Sequence, residues 1–172
     1  VSMSPDPKRT RDELVSAGNE RQVLEAFLDL YRDIIVGKVN GISDADARRR
    51  RVSSSTTLAG IVKHLTSVER EWFGSVLTGR PASEAGVDVT TDGWHVAPSD
   101  TIDNLVAEYQ HACADSRQVA SRFTLDDTVA MPRLGQVSLR WIYVHMIEET
   151  ARHAGHADIL REQTDGTTGF DA

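Results

Sequence analysis

Four stretches of this chain carry apolar residues three and four positions apart, the spacing of a helix that buries one face. In the first, Leu24, Phe27, Leu28, Tyr31, Ile34 and Ile35 follow Asn19, a residue type that caps helix N-termini. Gly37 weakens that pattern and Gly41 ends it. The second starts near Thr56 or Thr57, carries Leu58, Ile61, Val62, Leu65, Val68, Trp72 and Phe73, and stops around Thr78-Gly79, with Pro81 beyond. The third spans Asp100 to about Arg122, with Ile102, Leu105, Tyr109, Cys113 and Val119 or Ala120 inward, and the fourth runs from about Ser138 to Gln163. No segment alternates polar and apolar residues over a strand's length. The pattern predicts an all-α chain folded as a four-helix bundle.

The connections refine this. Residues 80–99 form a long link with Pro81, Gly86, Gly93 and Pro98, and a crossover of that length lets the second and third helices run parallel. Ser43 is placed to cap a short turn through Asp44, Asp46 and Ala47, and Met131 to Val137 reads as a short hairpin-like turn. Residues 1–18, with Pro5 and Pro7, are expected to be a flexible arm, residues 19–163 the folded domain, and the glycine-rich 164–172 a flexible tail. No internal repeat or second domain is visible, and 172 residues suffice for one substantial core.

Charge and cysteine content narrow the function. Nineteen basic against 26 acidic side chains give a net charge of -7, which offers no general attraction to a phosphate backbone, so no nucleic-acid partner is expected. The run Arg48 to Arg51 is a local exception, close behind Asp44 and Asp46, and suits a solvated helix end or a carboxylate-binding patch. Cys113 is the only cysteine, which excludes an intrachain disulfide and fits a reducing interior. No stretch approaches the roughly 18 apolar residues of a membrane span. The N-terminal residues lack the apolar core of a secretion signal, so the expected location is the cytoplasm.

The fourth helix interrupts its own buried stripe. At about 100° per residue, Ile142, Met146, His153, His156 and Leu160 all fall within about 60° of Glu149, with His145 near the same stripe. A carboxylate on an apolar face needs a partner. Glu149 and His153, four positions apart, stack on one face, where they can pair with each other or reach one cation together. His64, beside Leu65 on the inner face of the second helix, is the natural third donor. One carboxylate and two neutral imidazoles would hold zinc, nickel, iron, cobalt or manganese, with positions left open for water or substrate. His145 and His156 fall to a second shell or the rim. Trp72, Trp94, Trp141, His95 and Arg133 are possible pocket residues. Cys113, four residues after Tyr109 on an inner face, reads as a buried structural cysteine, so no protein nucleophile is assigned.

The segment LAGIVKHLTSVEREWF, followed much later by HMIEETARHAGHADILRE, resembles the DinB-like superfamily, and within it the actinobacterial mycothiol-dependent S-transferases. The resemblance extends from about Glu20 to Glu162. It implies a four-helix bundle with a long crossover between helices two and three, a metal triad whose matching positions are His64, Glu149 and His153, zinc or nickel as the metal, mycothiol as a cofactor, and a homodimer.

The expected function is a metal-dependent transferase that joins a low-molecular-weight thiol, mycothiol, to a small electrophilic substrate. The nucleophile then comes from the cofactor. Two alternatives stand beside it: a metal-dependent hydrolase or isomerase that uses no thiol, and a non-enzymatic metal- or ligand-binding helical protein.

Overall fold

The computed structural model describes residues 10–90 and 93–169. Among them are six helices: α1 (Arg11–Leu14), α2 (Glu20–Val39), α3 (Asp44–Ala47), α4 (Leu58–Glu69), α5 (Ile102–Ala120) and α6 (Leu139–Asp165). A two-stranded antiparallel sheet, β1 (Thr128–Met131) and β2 (Gly135–Ser138), precedes α6. The chain is therefore mostly helical and departs from an all-α reading at this hairpin, which falls where the sequence suggested a hairpin-like turn. Thr128 pairs with Ser138 and Met131 with Gly135 across it.

Side-chain oxygens set the helix starts. Asn19 accepts from the Gln22 amide, Thr57 from Gly60, Thr101 from Asn104 and Ser138 from Trp141, each relieving an amide with no partner inside its helix. Helix α6 ends at Gly166, whose φ of 78° is the left-handed cap conformation that glycine adopts at least cost. Helix α4 does not stay regular to Thr78. Beyond Glu69 it widens into π-helical turns over Arg70–Val76, closed by a hydrogen bond from the Leu77 amide to the Trp72 carbonyl. Within the segment read as an arm, α1 is a single turn joined to α2 by the Arg11–Asp33 ion pair. Residues 1–9 of that arm and 170–172 of the tail lie outside the described residues.

Helix α2 packs mainly along α6, and α4 mainly along α5, with α4 also against α6. The core divides into two apolar clusters. One gathers Ile35, Ile61, Val62, Leu65, Tyr109 and Leu160; the other gathers Leu28, Phe73, Leu77, Leu139, Ile142 and Met146. Between them each long helix carries polar residues: Arg32 on α2, His64 and Glu69 on α4, Ser116 on α5, and Glu149, Thr150 and His153 on α6. This polar waist holds two separate constellations. Arg32 and Glu69, both buried, form a bidentate ion pair with N–O distances of 2.7 and 2.6 Å. The other constellation contains the candidate site.

Candidate metal centre and its cleft

Helical periodicity puts Glu149 and His153 one turn apart on α6, and packing of α4 against that face brings in His64. Glu149 Oε1 lies 3.1 Å from His153 Nε2 and 3.2 Å from His64 Nε2. The three side chains offer donor atoms that all lie within 4.8 Å of one another. The second carboxylate oxygen, Oε2, is 3.2 Å from Arg152, an exposed side chain that also pairs with Glu148. Hydrogen bonds from His153, then from His64, hold the Glu149 carboxyl well below the usual carboxylate range, against the opposing effect of burial. The group is thus a carboxylate through the whole neutral range.

This donor set fits a divalent transition metal. Metal bonds of about 2.1 Å put neighbouring donors about 3.0–3.4 Å apart in octahedral or tetrahedral geometry, which the two separations from Glu149 Oε1 match. Two nitrogens and one oxygen suit zinc and its first-row neighbours. His153 Nδ1 is buried and has no hydrogen-bond partner among the described residues. Nothing there fixes which ring nitrogen carries the proton, so Nε2 can present either an N–H to Glu149 or a lone pair to a cation.

The link between α4 and α5 supplies the roof. Trp94 stacks on His64 with ring centroids 4.3 Å apart and planes 13° from parallel, and meets His153 edge-on at 5.4 Å. Gly93 makes this possible. Its φ is +74°, and a Cβ there would lie 2.6 Å from the Ser67 Cβ and 3.2 Å from the His64 Cα. The link is tied down on both sides: the Asp88 amide donates to Ser67 Oγ at 3.2 Å, and Arg48 donates to the carbonyls of Ala97 and Asp100. Part of the arginine run therefore holds backbone. Arg50 likewise donates to the carbonyls of Ser53 and Ser54, and Arg49 pairs with Asp46 at 3.3 Å.

A cleft of about 480 Å³ opens beside the donors and is lined by His64 and Glu149 together with Trp72, Trp94 and His145. His145 is a wall residue: it stacks on Trp141 at 5.2 Å and meets Trp72 at 4.5 Å. His156 is exposed, has its ring 5.4 Å from His153, and lines a separate apolar groove with Val52 and Ile159. Trp141 supports His145 from outside the cleft. His95 and Arg133 are exposed and do not line it, Arg133 lying in the hairpin turn. Sequence reasoning missed Arg152, whose place three residues after Glu149 on the helix was the available signal, and the acidic wall residues Glu71 and Asp88, which had none.

Cys113 lines a different cavity, between α2 and α5, and is buried. Burial, then the nearby Glu69 charge, pushes its thiol far above the ordinary range.

These features define a helical protein with a His-Glu-His donor cluster at the floor of an open cleft. Residues 23–166 match the family model of mycothiol S-transferases, and the chain belongs to that family. Comparison with curated protein sequences gives no match.

Proposed function

We propose that this protein is a metal-dependent transferase that joins mycothiol, or a closely related low-molecular-weight thiol, to a small electrophile. The observation that carries the reading is the convergence of His64, Glu149 and His153 beside an open cleft, in a chain of the mycothiol-S-transferase family. In this reading α2, α4, α5 and α6 are the four helices of a bundle, the link from α4 to α5 is its crossover, and residues 19–163 are the working domain, located in the cytoplasm.

His64, Glu149 and His153 are the ligands of a divalent transition metal, zinc or nickel foremost. Such an ion supplies the positive charge that favours a bound thiol in its thiolate form near neutral pH. The protein's own side chains do the rest. Glu149 contributes a permanent negative charge, and Arg152 engages its outer oxygen so that Oε1 faces the imidazoles. Trp94 covers one face of His64 and keeps water from it, while His145 and Trp72 wall the approach. No protein thiol takes part, because Cys113 is buried away from the cleft.

The test pairs two measurements on gently purified protein: metal content, and thiol consumption with a panel of electrophiles. Wild type should carry about one transition-metal ion per chain, H64A, E149A and H153A should lose it, and turnover should require both metal and thiol. A wild-type protein that takes up no metal on reconstitution, or turnover that ignores the thiol, refutes the proposal.

A further inference from the structure

The cleft beside the donors has walls of two kinds. Trp72, Trp94 and His145 present aromatic rings, and Val68, Val87 and Val89 present aliphatic surface. Its acidic side chains are Glu71, Asp88 and Glu149, and no lysine or arginine lines it among the described residues. Among the described residues, Arg152 and Arg70 have contacts of their own. Arg152 contacts Glu148 and the outer oxygen of Glu149. Arg70, next to Glu71 in sequence, reaches the Gly86 carbonyl and lines another cavity. Asp88 is held in place: its Oδ1 accepts from the amide and hydroxyl of Thr90, while its amide donates to Ser67.

We propose that this cleft selects the small electrophile by charge, taking an organic cation with a planar apolar body and excluding carboxylates, sulfonates and phosphates. The inference rests on the reading of the cleft as the substrate site. Glu149 belongs to the donor cluster, and Glu71 and Asp88 give the rest of the wall its acidic charge. Ring faces carry negative electrostatic potential and attract cations, more strongly where water is thinned out. A concave wall lined by one sign of charge focuses that field. An anion entering the cleft meets the carboxylates of Glu71 and Asp88 and the ring faces. The only cation in this reading is the metal, whose charge is offset by Glu149 and by the bound thiolate. No guanidinium or ammonium lines the wall among the described residues, whereas sites built for carboxylate or phosphate use arginine or lysine. The aromatic and valine surface accounts for the apolar body, since it is buried well only against a flat or hydrocarbon surface.

The experiment titrates the full chain, as purified, with three single-ring probes that are weak metal ligands: benzyltrimethylammonium, benzyl alcohol and benzenesulfonate. Binding is read at the indole N–H signals of Trp72 and Trp94 by NMR. The expected affinity order is cation, alcohol, sulfonate, with about tenfold between the first and last. In E71Q/D88N the order should collapse toward equality, while the amide oxygen at position 88 still accepts from Thr90. Sulfonate binding as tightly as the cation, an order unchanged in the double variant, or no probe shifting either indole would overturn the inference. Neither metal content nor thiol turnover enters these readouts. A protein that fails to transfer a thiol but keeps the order refutes the function alone, and one that transfers a thiol but reverses the order refutes the charge selection alone.

Discussion

Trp94 lies flat on His64, 4.3 Å between ring centroids, although the two residues belong to a loop and to the helix before it. The contact is set by the backbone. Gly93 approaches α4 so closely, and in so left-handed a conformation, that no side chain fits there. The roof of the donor cluster therefore depends on one glycine.

G93A should cost stability on two counts, the positive φ and the collision with Ser67 and His64, about 1–3 kcal/mol together. Gly41 is the internal control: its φ is +70°, but a Cβ there would meet nothing within 4 Å, so G41A incurs only the first cost. Denaturant unfolding should rank G93A well below G41A. The His64 ring protons, shielded by Trp94 in wild type, should move downfield in G93A alone. Equal losses in the two variants would show that the close approach of Gly93 carries no energy.

Glu149 predicts a pH dependence with a defined sign. A carboxyl held below its unfolded value contributes stability at every pH above that value and gives it up as pH falls toward the native one. In chelator-treated protein the stability difference between wild type and E149Q should persist from pH 7 to 5 and close only below about pH 4, where the unfolded chain's carboxyl protonates. Closure already between pH 7 and 5 would contradict the assignment of hydrogen bonds from His153 and His64.

Arg32 and Glu69 are expected to behave as a unit. With side-chain exposures of 5% and 1%, neither charge can be left alone. R32M strands the Glu69 carboxylate and should cost about 3–5 kcal/mol. E69Q leaves the guanidinium its second carboxylate, Asp29 at 2.8 Å, and should cost less than R32M, and R32M/E69M, which removes both charges, should also cost less than R32M. A chemical-denaturation cycle of the four proteins gives the answer. Additive losses would mean that the pair is not coupled.

Cys113 should be silent. Its buried, neutral thiol should react with a thiol reagent only after unfolding, and C113A should keep wild-type metal content at a stability cost of about 1–2 kcal/mol. Rapid labelling of the native protein, or loss of turnover in C113A with metal retained, would return a nucleophilic role to this residue.

The four long helices were legible because their signals are local. Thr57, Thr101 and Ser138 cap helices one residue before an apolar residue and Asn19 five before Leu24, and each acts on an amide three positions away. The hairpin was only faintly legible, since two strands of four residues are too short to display an alternating pattern. The widening of α4 after Glu69 left no mark that propensity could read.

The site divides along the same line. Glu149 and His153 belong together by sequence alone, because four residues along a helix return a side chain to the same face. His64 shares an inner face by periodicity, but its distance of 3.2 Å from Glu149, a residue 85 positions away in sequence, depends on how far α4 slides and rotates against α6, and helical periodicity says nothing about axial register between separate helices. The same holds for Trp94 over His64, for Glu71 and Asp88 in the cleft, and for Arg32 against Glu69. Residue types and helical angles were determined by the sequence itself; which donors, rings and charges meet was decided by packing, because contacts between distant segments exist only once both apolar clusters have closed around the polar waist.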